Sequence, residues 1–206
     1  MLAFSSLLGN VEGQNIYRTR YDKPASYWEE ALPVGNGRIA AMVFGNPQLE
    51  QIQLNEETVS AGSPYQNYNE EAKTALPEMR RLIFEGKYEE AQNMAATKIL
   101  SQVGNEMPSQ TVGRLNIRYP DHKKVNNYYR DLDISNAVAV TRYEVDGVEF
   151  TEETFASFTD QLVIRHIKAS KPGTINCELF FNTPMRDPKR SIYGKKGLRL
   201  EGITHG

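Results

Sequence analysis

Apolar residues along this chain keep two different periods. From Ile39 to Phe44 (IAAMVF) both alternate sets are apolar, the pattern of a strand covered on both faces. From Leu49 to Asn55, Ile52 and Leu54 share one side with Glu50, while Gln51, Gln53 and Asn55 share the other, which predicts a strand with one wet face. Between Asn69 and Leu100 the spacing lengthens to three and four. Leu76, Met79, Leu82 and Ile83, then Tyr88, Ala91, Met94, Ala95 and Ile99, predict two helices separated at Gly86, with Pro77 in the first turn of the main helix. Past Gly113 the alternation returns, with a short strand over Leu115 to Tyr119 and longer ones over Val138 to Val145, Val148 to Phe155, Leu162 to Ala169 and Thr174 to Phe181.

Turn chemistry divides these runs. Gly35-Asn36-Gly37, Asn46-Pro47, Asp146-Gly147 and Lys171-Pro172-Gly173 are corner sequences, and the last two are expected to close hairpins. Gly194 and Gly197 mark one more hairpin within Ile192 to Leu200. Strands about ten residues apart with turns between them predict a mainly β fold, a β-sandwich interrupted by a helical insertion at about 69–100. Residues 1–14 have a short apolar centre and no basic start, and read as a leader or the remnant of a secretory signal. Residues 15–27, polar and carrying Pro24, read as an extended arm, and residues 28–206 as the domain proper. Ile203-Thr204-His205-Gly206 stops in mid-pattern, so the domain is expected to be incomplete at its C-terminus.

Composition narrows the function classes. The 206 residues carry a formal net charge of -2, with no lysine- or arginine-rich block standing out, and nucleic acid is not an expected partner. The single cysteine, Cys177, cannot form an intrachain disulfide and reads as a small buried hydrophobe. His122, His166 and His205 have no ligand spacing, so no metal and no cofactor are expected, and His166 reads as a satisfied strand histidine. No run of about twenty apolar residues predicts a membrane span.

Several ordered blocks resemble the amino-terminal domain of glycoside hydrolase family 95, chiefly α-L-fucosidases. They are WEEALPVGNGRIAAMVFG from Trp28, IQLNEETVSAGSP from Ile52, ALPEMRRLIFEGKYEEAQNMA from Ala75, YYRDLDISNAVAVTRYEVDGVEFTEETFAS from Tyr128 and DQLVIRHIKASKPG from Asp160. The resemblance runs from about Ala25 to the end. It implies a β-sandwich of the galactose-mutarotase-like super-sandwich type, preceding an (α/α)6 barrel absent from these residues. It also implies an inverting hydrolysis of terminal α-linked L-fucose, typically α-1,2-linked to galactose, performed by a glutamic acid, an asparagine and an aspartate of that barrel. None of those motifs occurs here, so no catalytic residue is assigned. The implied partners are the barrel of the same polypeptide and a fucosylated glycan, and the implied location is periplasmic or extracellular. Two stretches depart from the family pattern: Thr58-Val59-Ser60, where a tryptophan usually follows the threonine, and SQTVGRL from Ser109.

Candidate sugar or barrel contacts are Asn36, Arg38, Asn55, Glu56, Ser60, Tyr65 and Tyr68. Asn36 and Arg38 sit in a hairpin corner that lacks the lysine and helix of a phosphate loop. Tyr65 to Tyr68 combines aromatic rings with amides, the mixture that sugars need, and Asn126 to Tyr129 is a second loop of that kind. In each, tyrosines packed on the fold are the competing reading. Glu56, Glu57, Asp131 and Asp133 are the carboxylates weighed for the paired acid and base of an inverting glycosidase. The plainer reading makes the glutamates a polar loop and the aspartates solvent-facing or turn-bonding. Trp28 reads as a core anchor. A stand-alone carbohydrate-binding module and a truncated product without activity remain open as alternatives.

Overall fold

The computed structural model describes residues 17–62, 67–101 and 108–205. Two five-stranded antiparallel sheets face each other. The first contains β1 (Arg18–Tyr21), β6 (Val125–Asp133), β7 (Val138–Val145), β8 (Val148–Ser157) and β9 (Leu162–Ala169), in that spatial order. The second runs β10 (Glu178–Asn182), β5 (Gly113–Arg118), β4 (Leu49–Glu56), β3 (Ile39–Val43) and β2 (Leu32–Gly35). A separate hairpin pairs β11 (Arg186–Tyr193) with β12 (Gly197–Ile203). The sandwich expected from the alternating pattern is therefore present.

Its centre is filled by the inward-facing sets of both sheets, including Leu32, Val34, Ala41, Val43, Ile52, Ile117 and Ala139. Cys177 packs partly buried against this cluster. Tyr143, Val145 and Phe150 form a second cluster at one end of β7 and β8. The Asp146-Gly147 turn closes its hairpin as expected, with Val145 opposite Val148 and both turn residues at positive φ.

The helical insertion comprises α1 (Ala72–Phe84), α2 (Tyr88–Met94) and one π turn, Ala95–Ile99. Gly86, at φ 76°, stops α1: its N–H donates to the Ile83 carbonyl and that of Lys87 to Leu82, a Schellman closure. Pro77 lies inside α1 rather than in its first turn, because the helix begins already at Ala72.

Other expectations are corrected. The Lys171-Pro172-Gly173 corner does not join a hairpin, since it carries the chain from β9 in one sheet towards β10 in the other. Within the arm, residues 18–21 pair with β6 as an edge strand. Asn126 to Tyr129 is part of β6 and no loop; a bulge there, with Asn127 at φ 50°, breaks the alternation that marks a strand. The outer face of β3 is not covered, as Ala40 is exposed and Met42 half-buried. Trp28 is no core anchor. It starts a 3-10 turn, Trp28–Glu30, and remains 49% exposed, while Ala31 and Leu32 just after it take the buried positions.

Candidate functional site

At one end of the sandwich, β3 and β4 lie side by side with Ile39 opposite Glu56 and Ala40 opposite Asn55. This register gathers four of the candidates. Asn36 Oδ1 accepts from the amides of Arg38 (3.0 Å) and Ile39 (2.9 Å), which folds the hairpin corner. Its Nδ2 donates to the Ser157 carbonyl at 2.8 Å and to Gln161 Oε1 at 3.3 Å, so the same side chain ties the second sheet to the first. Arg38 donates from Nε to Glu56 Oε1 at 3.0 Å and keeps its guanidinium more than half exposed. The other Glu56 oxygen accepts from both the amide and the hydroxyl of Thr58. The Thr58 hydroxyl first, then Arg38, hold the Glu56 carboxyl below its ordinary range.

Asn55 and Glu56 line a cleft of about 300 Å³ between the sheets. Its walls are mostly aliphatic, with Ile39, Leu54, Leu115 and Val163 contributing, and Gln161 and Arg165 bring polar atoms. Ser60 lies beyond Glu56 and bridges to Ser109, and the stretch around it is tied to the neighbouring one by Gln110 N to Val59 O (3.0 Å) and Ala61 N to Pro108 O (2.8 Å). Thr58-Val59-Ser60 and the SQTVGRL stretch from Ser109 are thus spatial neighbours. Tyr68 stands apart, exposed on the approach to α1. Tyr65 falls outside the described residues.

Asp131 and Asp133 are buried rather than solvent-facing. β1 covers them, with Arg18 Nη2 donating to Asp133 at 2.9 Å and Arg18 Nη1 3.5 Å from Asp131. Asp133 does bond turn amides, those of Ser135 and Asn136. Burial raises the Asp131 pKa, whereas the Asn136 side chain, then Arg18, lower that of Asp133. His166 pairs with Glu153 on an exposed strand face.

The most concentrated group of charges was not anticipated. Arg165, on β9, donates to Glu50 of β4 at 2.6 Å and to Glu152 of β8, and its Nη1 donates to the Thr154 hydroxyl at 2.7 Å. Glu50 Oε1 also accepts from the amides of Gly45 and Gln51, and Tyr143 donates its hydroxyl to Glu152 Oε1 at 2.7 Å. Glu50 is 0% and Glu152 1% exposed. One guanidinium thus joins the two sheets through two carboxylates. Each of the three lies in the apolar phase of its strand: Glu50 with Ile52, Glu152 with Phe150, Arg165 with Val163 and Ile167. That misplaced charge was the readable signal.

Next to this group, His122 is buried against Tyr119, Tyr143 and Phe150, its ring parallel to that of Tyr119 at 4.6 Å. Its Nδ1 lies 3.0 Å from the Pro47 carbonyl, and burial lowers its pKa. Among the described residues no three His, Cys, Asp or Glu side chains are placed to hold a metal ion, and no helix is long and apolar enough to cross a membrane.

The sequence has relatives among known proteins. The chain is 36% identical over 181 residues to Alpha-L-fucosidase 2 of Arabidopsis thaliana, an alignment covering 85% of this chain and 21% of that protein. It is 26% identical over 163 residues to Probable alpha-fucosidase A of Aspergillus niger (72% and 19%), and 24% identical over 209 residues to the Aspergillus oryzae protein of the same name (89% and 26%). The chain therefore spans about a fifth to a quarter of these relatives' length. A family model described as glycosyl hydrolase family 65, N-terminal domain, matches residues 19–206. This is the same kind of amino-terminal fold as the one the sequence blocks resemble. With the match covering both sheets and the separate hairpin, the chain belongs to the glycosyl hydrolase family 65 N-terminal domain family.

Proposed function

We propose that this chain is the non-catalytic amino-terminal portion of an inverting α-L-fucosidase of the family 95 type, packing against a catalytic barrel elsewhere in the same polypeptide. The observation that carries this reading is the 36% identity to an α-L-fucosidase of which the chain spans only 21%. The chemistry of the cleft supports it. An inverting glycosidase needs one carboxyl kept protonated and a second that activates water. Among the described residues Glu56 is the one carboxyl lining the cleft, and its hydrogen bonds favour its ionised form, opposite to what a general acid requires. Glu50 and Glu152 are sealed from solvent and shared by Arg165. Asp131 does have a raised pKa, but it is buried beneath β1 beside Arg18.

The test is an assay on an α-1,2-fucosylated galactoside, with this chain beside a longer one extended through the downstream coding sequence. The expected result is turnover by the extended protein alone, with the β-anomer of fucose appearing first by NMR. Turnover by this chain alone would overturn the non-catalytic role; an inactive extended protein would overturn the fucosidase reading.

A further inference from the structure

The outer face of the second sheet carries a row of polar side chains that the fold leaves unengaged. Ile52, Leu115 and Ile117 pack in the core, so the intervening residues of β4 and β5 point the other way, together with the residues opposite them on β10. The register sets Gln53, Arg114 and Asn182 side by side on β4, β5 and β10, a span of about 10 Å. Among the described residues no hydrogen bond or ion pair holds any of these three side chains. Arg114 has the Phe44 ring beneath it, with the guanidinium carbon 5.7 Å from the ring centre. Gly113 permits the close spacing of the row, since a Cβ there would collide with the Asn182 carbonyl oxygen.

Two cavities open on this face. One, of about 320 Å³, has Gln53, Thr111, Arg114 and Asn182 in its walls. The other, of about 590 Å³, is lined by Ser26, Phe44, Asn46 and Gln51 among others. Gln51 and Gln53, two positions apart on β4, and the Arg114 side chain over Phe44 join them into one groove. No carboxylate lines either cavity among the described residues, and Lys23, the second cation of the lining, is already paired with Glu30. Thr111 donates its hydroxyl to the Leu54 carbonyl at 2.9 Å and keeps lone pairs for a ligand. Amides and a guanidinium are planar groups with paired donors or acceptors, which suit neighbouring hydroxyls of a pyranose. Phe44 and the prolines at the two ends of the groove, Pro24 and Pro184, offer carbon to its C–H groups.

From this we infer that the outer face of the second sheet, across β3, β4, β5 and β10, is a binding site for a neutral oligosaccharide, distinct from the inter-sheet cleft. The choice of a carbohydrate rests in part on the glycan reading above, whereas the groove and its free side chains do not. A lining of amides and hydroxyls with one unpaired cation asks for hydroxyl groups rather than for a charged sugar. The site needs no turnover and no fucose, so its test is independent of any fucosidase assay.

The test is calorimetric titration of the chain with galactotetraose, and with tetragalacturonate as the charged sugar of the same length. Binding of the neutral sugar, with an affinity that does not change as salt rises, is the expected result. Gln53→Ala combined with Asn182→Ala should lower the affinity at least about tenfold; neither side chain has a partner to lose, and circular dichroism checks that the variant is folded. Arg114→Lys, which keeps the charge and removes the planar fork, should weaken binding as well. Gln92→Ala with Asn93→Ala, which removes two exposed amides from α2 outside the groove, should leave the affinity unchanged. No binding of the neutral sugar, tighter binding of the uronate, unchanged affinity in the folded Gln53 and Asn182 variant, or an equal loss in the α2 variant would each overturn the site.

Discussion

Arg165 shows how a single side chain sets the character of this sandwich. It lies between two carboxylates from opposite sheets, all three removed from water. Taking away one member of such a group leaves uncompensated buried charge, at a cost of about 3–5 kcal/mol. Arg165→Ala is therefore expected to lose that much stability in urea unfolding, while Arg38→Ala, which breaks an exposed and solvent-screened pair, should shift the midpoint far less. His122 carries a pH dependence. Its folded pKa lies below the ordinary 6.5, so the unfolded chain takes up the proton first. The stability this neutral ring contributes is complete above about pH 6.5 and is lost as pH falls towards the folded value. Asp131 acts in the opposite sense, because its raised pKa favours the folded state on protonation. Unfolding at a series of pH values should thus show a shallower decline below pH 6.5 in His122→Phe, which keeps the stacked ring and removes the titration. At this scale the sequence was readable where turn chemistry and local bonding coincide. Asn36 was singled out as a corner residue, and the same amide ties the sheets together. Trp28 misled because an aromatic beside an apolar run looks like an anchor, while the 3-10 turn displaces it outwards.

At the scale of elements, local chemistry marks corners well and partners poorly. Asp146-Gly147 specified both, since a two-residue link leaves β7 and β8 no choice but each other. Lys171-Pro172-Gly173 marked a corner correctly, yet β9 pairs with β8 and β10 with β5, a choice made by contacts far apart in sequence. β6 escaped notice because its bulge interrupts the period, and β1 because four exposed residues held by backbone pairing and the Arg18 ion pairs leave no hydrophobic trace. The join of β5 to β10 depends on Gly113, at φ 145°, where an added Cβ would collide with the Asn182 carbonyl oxygen and sit 3.0 Å from Thr183 Cβ. Gly113→Ala should therefore destabilise the chain by about 2 kcal/mol, and hydrogen exchange should show β10 opening before β7 and β8 do.

For the whole molecule, the alternating pattern and turn spacing were enough to indicate a sandwich with a helical insertion. The order of the strands within each sheet was not, since burial pattern says which face is inward and nothing about which neighbour lies alongside. The candidate site was legible in part: Asn36, Arg38, Asn55 and Glu56 do converge, because adjacent antiparallel strands bring a corner and a strand end together. The β11–β12 hairpin carries Arg186, Lys189, Arg190, Lys195, Lys196 and Arg199 against Asp187 and Glu201, a basic excess that the net charge of -2 conceals. The lone tryptophan has a practical consequence at this scale. Being half exposed in the 3-10 turn before β2, Trp28 gives the molecule an intrinsic fluorophore stationed at its surface. Its emission reports on what settles over that turn, and global unfolding is better followed through the tyrosines of the core.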